Sequence, residues 1–163
     1  MKKLLVISDS HLLNTKEIFD FIKPDIAVHA GDSQYGIKDT NYFDYIVKGN
    51  CDFESYSQKI VFETMNKKIY LTHGHLQDVR YNNNGLIGEA SLIGCNIIIH
   101  GHTHVVKTEV EKGILIVNPG STYQSRSEYP TTFMVLNITK DDVEVLLYDA
   151  KSKEVIKKTI FGI

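Results

Sequence analysis

Five short polar motifs in this 163-residue chain contain side chains that can bind a metal ion or move a proton. Each motif directly follows a run of apolar residues, and the five lie well apart along the chain. Together they supply two carboxylates, one amide oxygen and several imidazoles, a donor set that suits a pair of divalent first-row metal ions. The motif residues are Asp9 and His11, Gly31 and Asp32, Gly49 and Asn50, His73 and His75, and Gly101, His102 and His104.

A pair of divalent cations in this donor set would make a positively charged pocket, although the chain has a formal net charge of -2. Asp9 and Asp32 neutralise only half of the charge of the cations, because histidine and asparagine ligands are neutral. Such a pocket attracts a phosphate anion, and divalent cations lower the pKa of bound water toward neutrality. The motifs therefore predict attack on a phosphate ester by hydroxide.

The composition is that of an ordinary globular domain, with 42% hydrophobic and 23% charged residues. We expect a single domain over residues 1–163, a length that folds without a disulfide or a structural metal. Cys51 and Cys95 are too few for a disulfide framework, and no apolar run has the length of a signal-peptide core or a membrane span. We therefore expect a cytoplasmic protein with no membrane partner, and the net charge does not indicate nucleic acid.

The pattern of apolar runs and turn residues predicts an α/β protein. The first third alternates strands and helices, which favours parallel strands joined by right-handed crossovers. The last third contains strands joined by short turns, which is typical of antiparallel pairing, so we expect two mixed sheets with helices outside. The predicted strands are 4–7, 25–30, a brief strand before Gly49, 59–62, 68–72, 97–99, 106–110, 114–117, 132–138, 143–148 and 155–161. The predicted helices are 15–23 with a cap at Asn14, 40–46, and 86–93 ending at Gly94.

Every motif follows a predicted strand, and open α/β sheets bind ligands at the carboxyl ends of their strands. We therefore expect the five motifs to meet in one crevice. Asp9 and His11 are two residues apart, so an extended backbone would present both side chains on one face and to one ion. His102 and His104 repeat that spacing. Asp32 stands alone after its glycine and could bridge two ions through its two oxygens.

The order Asp-x-His, Gly-Asp, Gly-Asn, His-Gly-His and Gly-His-x-His resembles the calcineurin-like metallophosphoesterases. More narrowly, the chain is similar to the small single-domain phosphodiesterases of bacteria and archaea, from residue 4 to about residue 125, including the Asn-Pro-Gly-Ser loop at 118–121. The resemblance implies a four-layer α/β/β/α sandwich of two mixed β-sheets flanked by helices. It also implies two divalent metal ions per chain, often manganese in vitro, with nickel, cobalt, iron or zinc as alternatives.

The resemblance also assigns a role to each motif residue. The first ion would be bound by Asp9, His11, Asp32 and His104, and the second by Asp32, Asn50, His73 and His102. Asp32 would bridge the two ions. Asn50 would in addition stabilise charge on the phosphoryl oxygens during attack.

The chain departs from the family pattern at one position. Many members have a histidine directly after the ligating asparagine, where it protonates the leaving group, whereas this chain has Cys51. A thiol with a pKa of about 8.5 is a poor general acid, so we expect a good leaving group or a proton donor elsewhere, for which His75 is the candidate. The alternative for His75 is a supporting role, in which it donates a hydrogen bond to a carboxylate or carbonyl. His29 and His100 are predicted to be buried, hydrogen-bonded supports, and Cys51 a small buried residue beside the site.

Three functions are consistent with these residues. The first is a phosphodiesterase that hydrolyses a small-molecule diester with a hydroxide bridging two metal ions. The second is a phosphomonoesterase, although a chain with only two arginines favours the singly charged diester. The third is a non-catalytic scaffold, because one retromer coat subunit similar to this group binds partners without some of the ligands. We interpret Arg80 and Arg126 as solvated surface residues, and the late strands could leave an edge open for a homo-oligomer.

Overall fold

The computed structural model describes all 163 residues, which form two β-sheets, two α-helices and two short 3-10 turns. The strands are β1 (Lys2–Ile7), β2 (Ile26–His29), β3 (Tyr45–Ile46), β4 (Lys59–Thr64), β5 (Lys67–Thr72), β6 (Ile97–Ile99), β7 (Lys107–Glu111), β8 (Ile114–Asn118), β9 (Thr132–Ile138), β10 (Asp142–Asp149) and β11 (Val155–Gly162). The helices are α1 (Lys16–Ile22) and α2 (Asn84–Ile93), and the 3-10 turns are Ile37–Asp39 and His75–Gln77.

Both sheets are mixed, as the sequence predicts. The six-stranded sheet has the order β11-β10-β9-β1-β2-β3, and the five-stranded sheet has the order β4-β5-β6-β8-β7. Strands β1, β2 and β3 pair in parallel, as do β5, β6 and β8, and the remaining neighbours pair in antiparallel fashion. The last three strands therefore widen the first sheet without any further crossover helix.

The main hydrophobic core, of 18 buried residues, fills the space between the two sheets. On β1, Leu4 and Val6 face this core, while Leu5 and Ile7 pack on the other side with Ile18 of α1. The five-stranded sheet has an equivalent outer cluster that includes residues of α2. Because these strands are buried on both faces, they need apolar residues at every position, which explains their continuous apolar runs. The result is the four-layer α/β/β/α sandwich.

The helix boundaries follow the sequence signals to within one or two residues. Helix α1 begins at Lys16, whose N–H donates a hydrogen bond of 2.8 Å to the Asn14 side chain. The residue at the N-cap is nevertheless Thr15, one position after the predicted cap. Helix α2 begins at Asn84 rather than at residue 86, and it ends at Gly94, whose φ of 75° is a left-handed conformation that glycine adopts without strain.

The helix predicted over 40–46 is wrong. The structure has a 3-10 turn at Ile37–Asp39 and then irregular chain as far as β3. Phe43 is buried in the cluster beneath α1, and the Asp44 carboxylate accepts a hydrogen bond of 2.8 Å from the Ala27 N–H. Aromatic residues have weak helix propensity, so these two tertiary contacts outweigh the local preference for a helix.

The longest open edge of the sandwich is β11, an eight-residue strand with only β10 beside it. An open edge of this kind is what the homo-oligomer prediction requires, but Lys157 and Lys158 lie on it, and charged edge residues oppose strand pairing between molecules. Neither α1 nor α2 combines the length and the apolar character that crossing a bilayer demands.

Candidate metal centre

The loops that follow β1, β2, β3, β5 and β6 carry the five motifs and meet at one end of the sandwich. Three groups of side chains have ligand atoms that all lie within 4.8 Å of one another: Asp9 with His11 and His104, Asp9 with Asp32 and His73, and His11 with Asp32 and Cys51. The first three loops belong to the six-stranded sheet and the last two to the five-stranded sheet. The site is therefore built across both sheets, at the strand ends where the sequence analysis places it.

The backbone at these loops adopts a conformation that is uncommon for residues other than glycine. Positive φ angles occur at Asp9 (52°), His11 (44°), Asp32 (56°), His102 (69°) and His104 (57°). The expectation that an extended backbone brings Asp9 and His11 to one face is therefore wrong, although the two side chains do lie together. These left-handed residues turn the chain sharply after β1, β2 and β6, and backbone strain of this kind is concentrated at functional sites.

Around Asp9, one carboxylate oxygen is fully engaged and the other is not. Oδ2 accepts hydrogen bonds from the Ser8 hydroxyl (2.5 Å) and the His102 N–H (3.1 Å). Oδ1 is buried, has no hydrogen-bond partner, and lies 3.3 Å from His104 Nε2 in a contact that lacks hydrogen-bond geometry. Because a buried oxygen without a partner is costly, this atom fits a position beside a cation.

His73 is surrounded by oxygen atoms. Its Nε2 lies 3.2 Å from Asn50 Oδ1, 3.3 Å from Asp32 Oδ2 and 3.9 Å from Asp9 Oδ1. Asp9 and His73 are buried completely, whereas Asn50 is exposed at the surface of the site. One nitrogen and three oxygens thus point at a common centre.

Three imidazoles are fixed in the same tautomer by what their Nδ1 atoms contact. Nδ1–H of His73 donates to the Ala30 carbonyl (2.7 Å) and that of His104 donates to the Gln124 carbonyl (2.8 Å). Nδ1–H of His11 donates to the Gln34 side-chain oxygen (3.0 Å). Each Nε2 is left with a lone pair, as is usual for histidines that ligate metals.

These lone pairs face each other or face oxygen. The Nε2 atoms of His11 and His104 are 3.4 Å apart, and neither has a hydrogen to donate to the other. Two lone pairs at this distance repel unless a cation or a proton lies between them. The donor set of two carboxylates, an amide oxygen and these imidazoles fits divalent first-row metals.

The ionisation of the buried groups agrees with this reading. Burial raises the pKa of Asp9, but the nearby His104 and His73 imidazoles outweigh it, and the pKa is lowered overall. Burial also opposes ionisation of Asp32, yet contacts with His73 and with the N–H of Cys51 hold its pKa well below the usual range. Burial lowers the pKa of His73, while Asp32 and Asp9 raise it further than burial lowers it. Without a metal, a proton on His73 would partly compensate the two carboxylates.

His102 and His75 lie beside these three groups rather than within them. The centre of the His102 ring is 5.1 Å from that of His73, and the His75 ring is 5.4 Å from His73 and 6.1 Å from His102. Burial, together with the charges of His73 and Arg80, lowers the pKa of His102 to about 4. Burial also lowers the pKa of His75, whose Nδ1 is buried without a partner.

Asp52, which the sequence analysis did not single out, connects two of the loops. Its Oδ2 accepts hydrogen bonds from the N–H groups of Asp32 (2.9 Å) and Gly49 (2.7 Å). Its Oδ1 accepts from the Gln34 N–H (2.6 Å) and the Ser33 hydroxyl (3.3 Å). The carboxylate is buried and thereby sets the position of the loop that carries Asp32 relative to the loop that carries Asn50. A lone aspartate near a motif has no distinguishing sequence signal.

Two motif positions must be glycine because the chains approach so closely. A Cβ at Gly49 would overlap the Asp32 backbone and carboxylate, and a Cβ at Gly101 would overlap Ser8 Oγ and lie 2.7 Å from Asp9 Oδ2. The Ser121 hydroxyl donates a 2.7 Å hydrogen bond to the Asp9 carbonyl. The loop at 118–121 therefore helps to fix the backbone of the first motif at Asp9.

His29 and His100 are buried and hydrogen-bonded, as predicted. The Gly31 N–H donates to His29 Nδ1 (3.1 Å), so Nε2 carries the hydrogen and donates to Ser10 Oγ (2.9 Å). His100 Nδ1 contacts the Gly101 carbonyl at 3.1 Å. Burial lowers the pKa of both histidines to about 4, which keeps them neutral at pH 7.

A shallow pocket of about 160 Å³ opens over the centre. Cys51 lines it, and burial and the charge of Asp32 raise the pKa of this thiol to about 11, so it is not a nucleophile at neutral pH. Arg80 and Arg126 are exposed, as expected of surface residues, and both line the same pocket beside the centre. Tyr123 completes the wall, with its ring 5.5 Å from that of His11.

Comparisons with known proteins, by sequence and by structure, point to one protein family. A model of the calcineurin-like phosphoesterase superfamily domain matches residues 1–141. The probable metallophosphoesterase YsnB of Bacillus subtilis is 31% identical over 159 residues, which cover 93% of this chain and 94% of that protein. A conserved uncharacterised protein from Streptococcus pneumoniae, described as a predicted phosphoesterase, is 31% identical and superposes with a TM-score of 0.91 over 99% of this chain and 98% of its own.

A more distant structure shares the fold alone. Vps29 from Entamoeba histolytica, solved in complex with Zn²⁺, is 23% identical and superposes with a TM-score of 0.79 over 98% of both chains. The match to the family extends through β9 and is continuous with the motif loops described above. On the family match and the two relatives that are 31% identical over nearly their whole length, this chain belongs to the calcineurin-like phosphoesterase superfamily.

Proposed function

We propose that this protein is a metal-dependent phosphodiesterase that hydrolyses small-molecule phosphodiesters. The observation that carries the proposal is the set of three imidazoles whose Nε2 lone pairs face Asp9, Asp32 and one another at 3.3–3.4 Å. Two divalent cations bound there would lower the pKa of a shared water and so supply the hydroxide that attacks phosphorus. Everything else in the reaction depends on how the side chains of this chain bind and orient the ester.

The ligand assignment proposed for the two ions follows the family order. The first set is Asp9, His11, Asp32 and His104, and the second set is Asp32, Asn50, His73 and His102. The buried Asp9 Oδ1 without a partner supports the first set, and the oxygens around His73 support the second. We propose manganese as the ion in vitro, with nickel, cobalt, iron or zinc as alternatives that the ligand types also accept.

At the mouth of the pocket, Asn50 would bind a non-reacting oxygen of the scissile phosphoryl group, and Arg80 and Arg126 would bind other phosphate oxygens of the substrate. All three are exposed and line the same pocket as His11 and His104. Arginine presents a planar fork of N–H donors that matches two phosphate oxygens. The arginines would orient the ester for in-line attack, and Asn50 would stabilise charge on its equatorial oxygens.

Departure of the leaving group requires a proton donor. The raised pKa of Cys51 makes it a weaker acid than an ordinary thiol. His75 is the candidate proton donor, although its lowered pKa and its place beside the pocket equally suit a role in holding His73 and His102. His75→Ala separates the two roles: a proton donor matters more for esters with poor leaving groups, whereas a supporting residue affects activated and unactivated esters alike.

A phosphomonoesterase is the alternative within the enzyme class, and one observation favours it. The scarcity of arginine in the chain favours a diester, yet both arginines line the pocket and could neutralise the second charge of a monoester. Rates on bis(p-nitrophenyl) phosphate and p-nitrophenyl phosphate compare the two directly. A higher kcat/KM on the monoester would replace our proposal by this alternative.

A non-catalytic scaffold on the same fold is the alternative outside the enzyme class. It requires a centre that binds metal weakly or not at all, whereas the full set of candidate ligands favours stoichiometric binding. Metal analysis of the purified protein after manganese loading and desalting tests this point. Uptake of less than one ion per chain would favour the scaffold.

The activity is tested with a matched pair of carboxylate variants. We expect chelator treatment to abolish hydrolysis of bis(p-nitrophenyl) phosphate and manganese to restore it. Asp32→Asn, at the proposed bridging position, should lose metal and activity, whereas Asp44→Asn, an exposed carboxylate that bonds the Ala27 N–H, should keep both. Full activity in metal-free protein, or in Asp32→Asn, would overturn the proposal.

A further inference from the structure

A second, larger crevice of about 400 Å³ adjoins the pocket over the candidate metal centre. The two are joined because Arg80 and Arg126 line both of them. The crevice is lined by Val79, Arg80, Thr103, Val105, Lys107 and Arg126. A substrate bound over the centre therefore has room to extend in this direction, and it meets positive charge there.

All the charged side chains that line this crevice are positive. Arg80, Lys107 and Arg126 line it, and no carboxylate does. Arg80 and Arg126 are the only two arginines of the chain, which has eighteen lysines and arginines in all. Neither guanidinium forms a salt bridge. Lys107, by contrast, already has partners: its Nζ lies 3.5 Å from Glu109 Oε1 and donates a hydrogen bond of 3.0 Å to Asn83 Oδ1. Two free guanidinium groups at one crevice make a site for an anion with several oxygens.

Neighbouring contacts place these donors at the crevice wall. The Arg126 N–H donates to the His104 carbonyl at 3.0 Å, which ties this arginine to the loop of the metal centre. The Thr103 oxygen accepts hydrogen bonds from the Asn118 side chain (3.0 Å) and the Val105 N–H (3.2 Å). Since both of its neighbours are donors, the Thr103 hydroxyl hydrogen is free to donate to a ligand.

We infer that this crevice binds a second phosphate group of the substrate. The preferred substrate class is then a phosphodiester that carries a further phosphate on one arm, such as a nucleotide ester phosphorylated at a second position. The scissile phosphate lies over the metal centre, and the second phosphate contacts Arg80, Arg126 and the Thr103 hydroxyl. This inference depends on the proposed function for its catalytic part only, because binding of the second phosphate needs no hydrolysis.

Two esters that differ by one phosphate test the inference in the manganese-loaded protein. They are thymidine 5′-(p-nitrophenyl phosphate) and the same ester with a 3′-phosphate, and the measured quantity is the ratio of their kcat/KM values. We expect a ratio above about 10 in favour of the 3′-phosphorylated ester, which is the effect of one charge-assisted hydrogen bond. Arg80→Gln and Arg126→Gln should each lower the ratio toward 1, and Lys112→Ala, an exposed lysine on the turn between β7 and β8, should not.

A ratio near 1 in the native protein, or a ratio that both arginine variants leave unchanged, would overturn the inference. Both arginines are exposed, so their replacement by glutamine does not disturb the core. The arginine variants are compared through the ratio rather than through either rate, because both residues also line the pocket over the metal centre.

A binding experiment keeps this inference separate from the proposed function. In chelator-treated protein labelled with ¹⁵N, the two arginines give two side-chain Nε–H signals, which the single variants assign. We expect thymidine 3′,5′-bisphosphate to shift both signals with saturation, and thymidine 5′-monophosphate to shift them about 10-fold more weakly. If neither ester is hydrolysed but the signals shift, the proposed function fails and the phosphate site stands. If the signals do not respond to the bisphosphate, the site itself is refuted.

Discussion

Replacing Asp52 by asparagine removes the charge of a buried carboxylate. Among the proposed metal ligands, this carboxylate forms a hydrogen bond only with Asp32, and it does so through the Asp32 backbone N–H. The carboxylate accepts four hydrogen bonds, from the N–H groups of Asp32, Gly49 and Gln34 and from the Ser33 hydroxyl, at 2.6–3.3 Å. Two donors point at each oxygen. The residue therefore holds together the loops that follow β2 and β3.

The expected loss follows from this geometry. Asparagine keeps one acceptor oxygen and replaces the other by an amide NH₂, so two donors lose their acceptor in either orientation. A hydrogen bond to a charged group contributes about 1.5–3 kcal/mol, and such contributions are not additive. We therefore expect the free energy of unfolding of Asp52→Asn to fall by about 2–4 kcal/mol. Metal affinity should fall by about 10–100-fold, as for other changes in the residues that orient ligands.

Urea unfolding of the metal-free protein measures the stability, and titration calorimetry with Mn²⁺ under conditions where the variant is folded by circular dichroism measures the affinity. Asp44→Asn is the matched control, because this exposed carboxylate accepts one backbone N–H, at 2.8 Å, away from the centre. Its loss of stability should be below about 1.5 kcal/mol, with no change in Mn²⁺ affinity.

Stability and Mn²⁺ affinity measure two separate roles of Asp52. Unchanged stability would refute the claim that the four hydrogen bonds stabilise the folded loops. Reduced stability with wild-type Mn²⁺ affinity and stoichiometry would refute the claim that Asp52 positions the centre, since the loops would then place Asp32 without it.

Three further perturbations test other parts of the structure. Gly101→Ala places a Cβ against Ser8 and Asp9, so we expect a loss of about 1–3 kcal/mol in urea unfolding and weaker Mn²⁺ binding by calorimetry. Gly88→Ala in α2, where a Cβ meets nothing within 4 Å, should instead stabilise by about 0.5–1 kcal/mol, and equal effects at the two glycines would contradict the steric argument. Burial lowers the pKa of His29 to about 4, so between pH 6.5 and 4 the unfolded chain binds more protons than the folded one and acid destabilises the fold. His100 and His102, whose pKa values are also lowered to about 4, add to the same loss, so His29→Gln should reduce the loss seen in urea unfolding by up to about 3 kcal/mol, and identical pH profiles would refute the burial of His29 as its cause. Finally, Mn²⁺ at about 100 times its Kd should stabilise the native protein by about 2.7 kcal/mol, or roughly 5–10 °C in Tm by calorimetry. A Tm that does not respond to Mn²⁺ would count against the centre.

Much of the fold is encoded locally in the chain. The continuous apolar runs of β1 and β6 predict strands buried on both faces, and those strands lie in the middle of the two sheets. Gly94 predicts the end of α2 because a left-handed residue is needed there. The segment 40–46 is the exception, since the burial of Phe43 and the hydrogen bond of Asp44 to Ala27 involve partners that are distant in sequence. Local propensity contains no information about such partners.

For the candidate centre, the residue types and their order along the chain already indicate metal chemistry, because donor identity is a property of each side chain. The arrangement of these donors in space does not follow from residue type. The left-handed turns that aim Asp9 and His11, the carbonyls that set the imidazole tautomers, and the four donors around Asp52 come from contacts between loops far apart in sequence. The two arginines show the same division: their chemistry can be read from the chain, but folding places them at one crevice. Donor chemistry is local, whereas distance, burial and charge balance are properties of the packed loops.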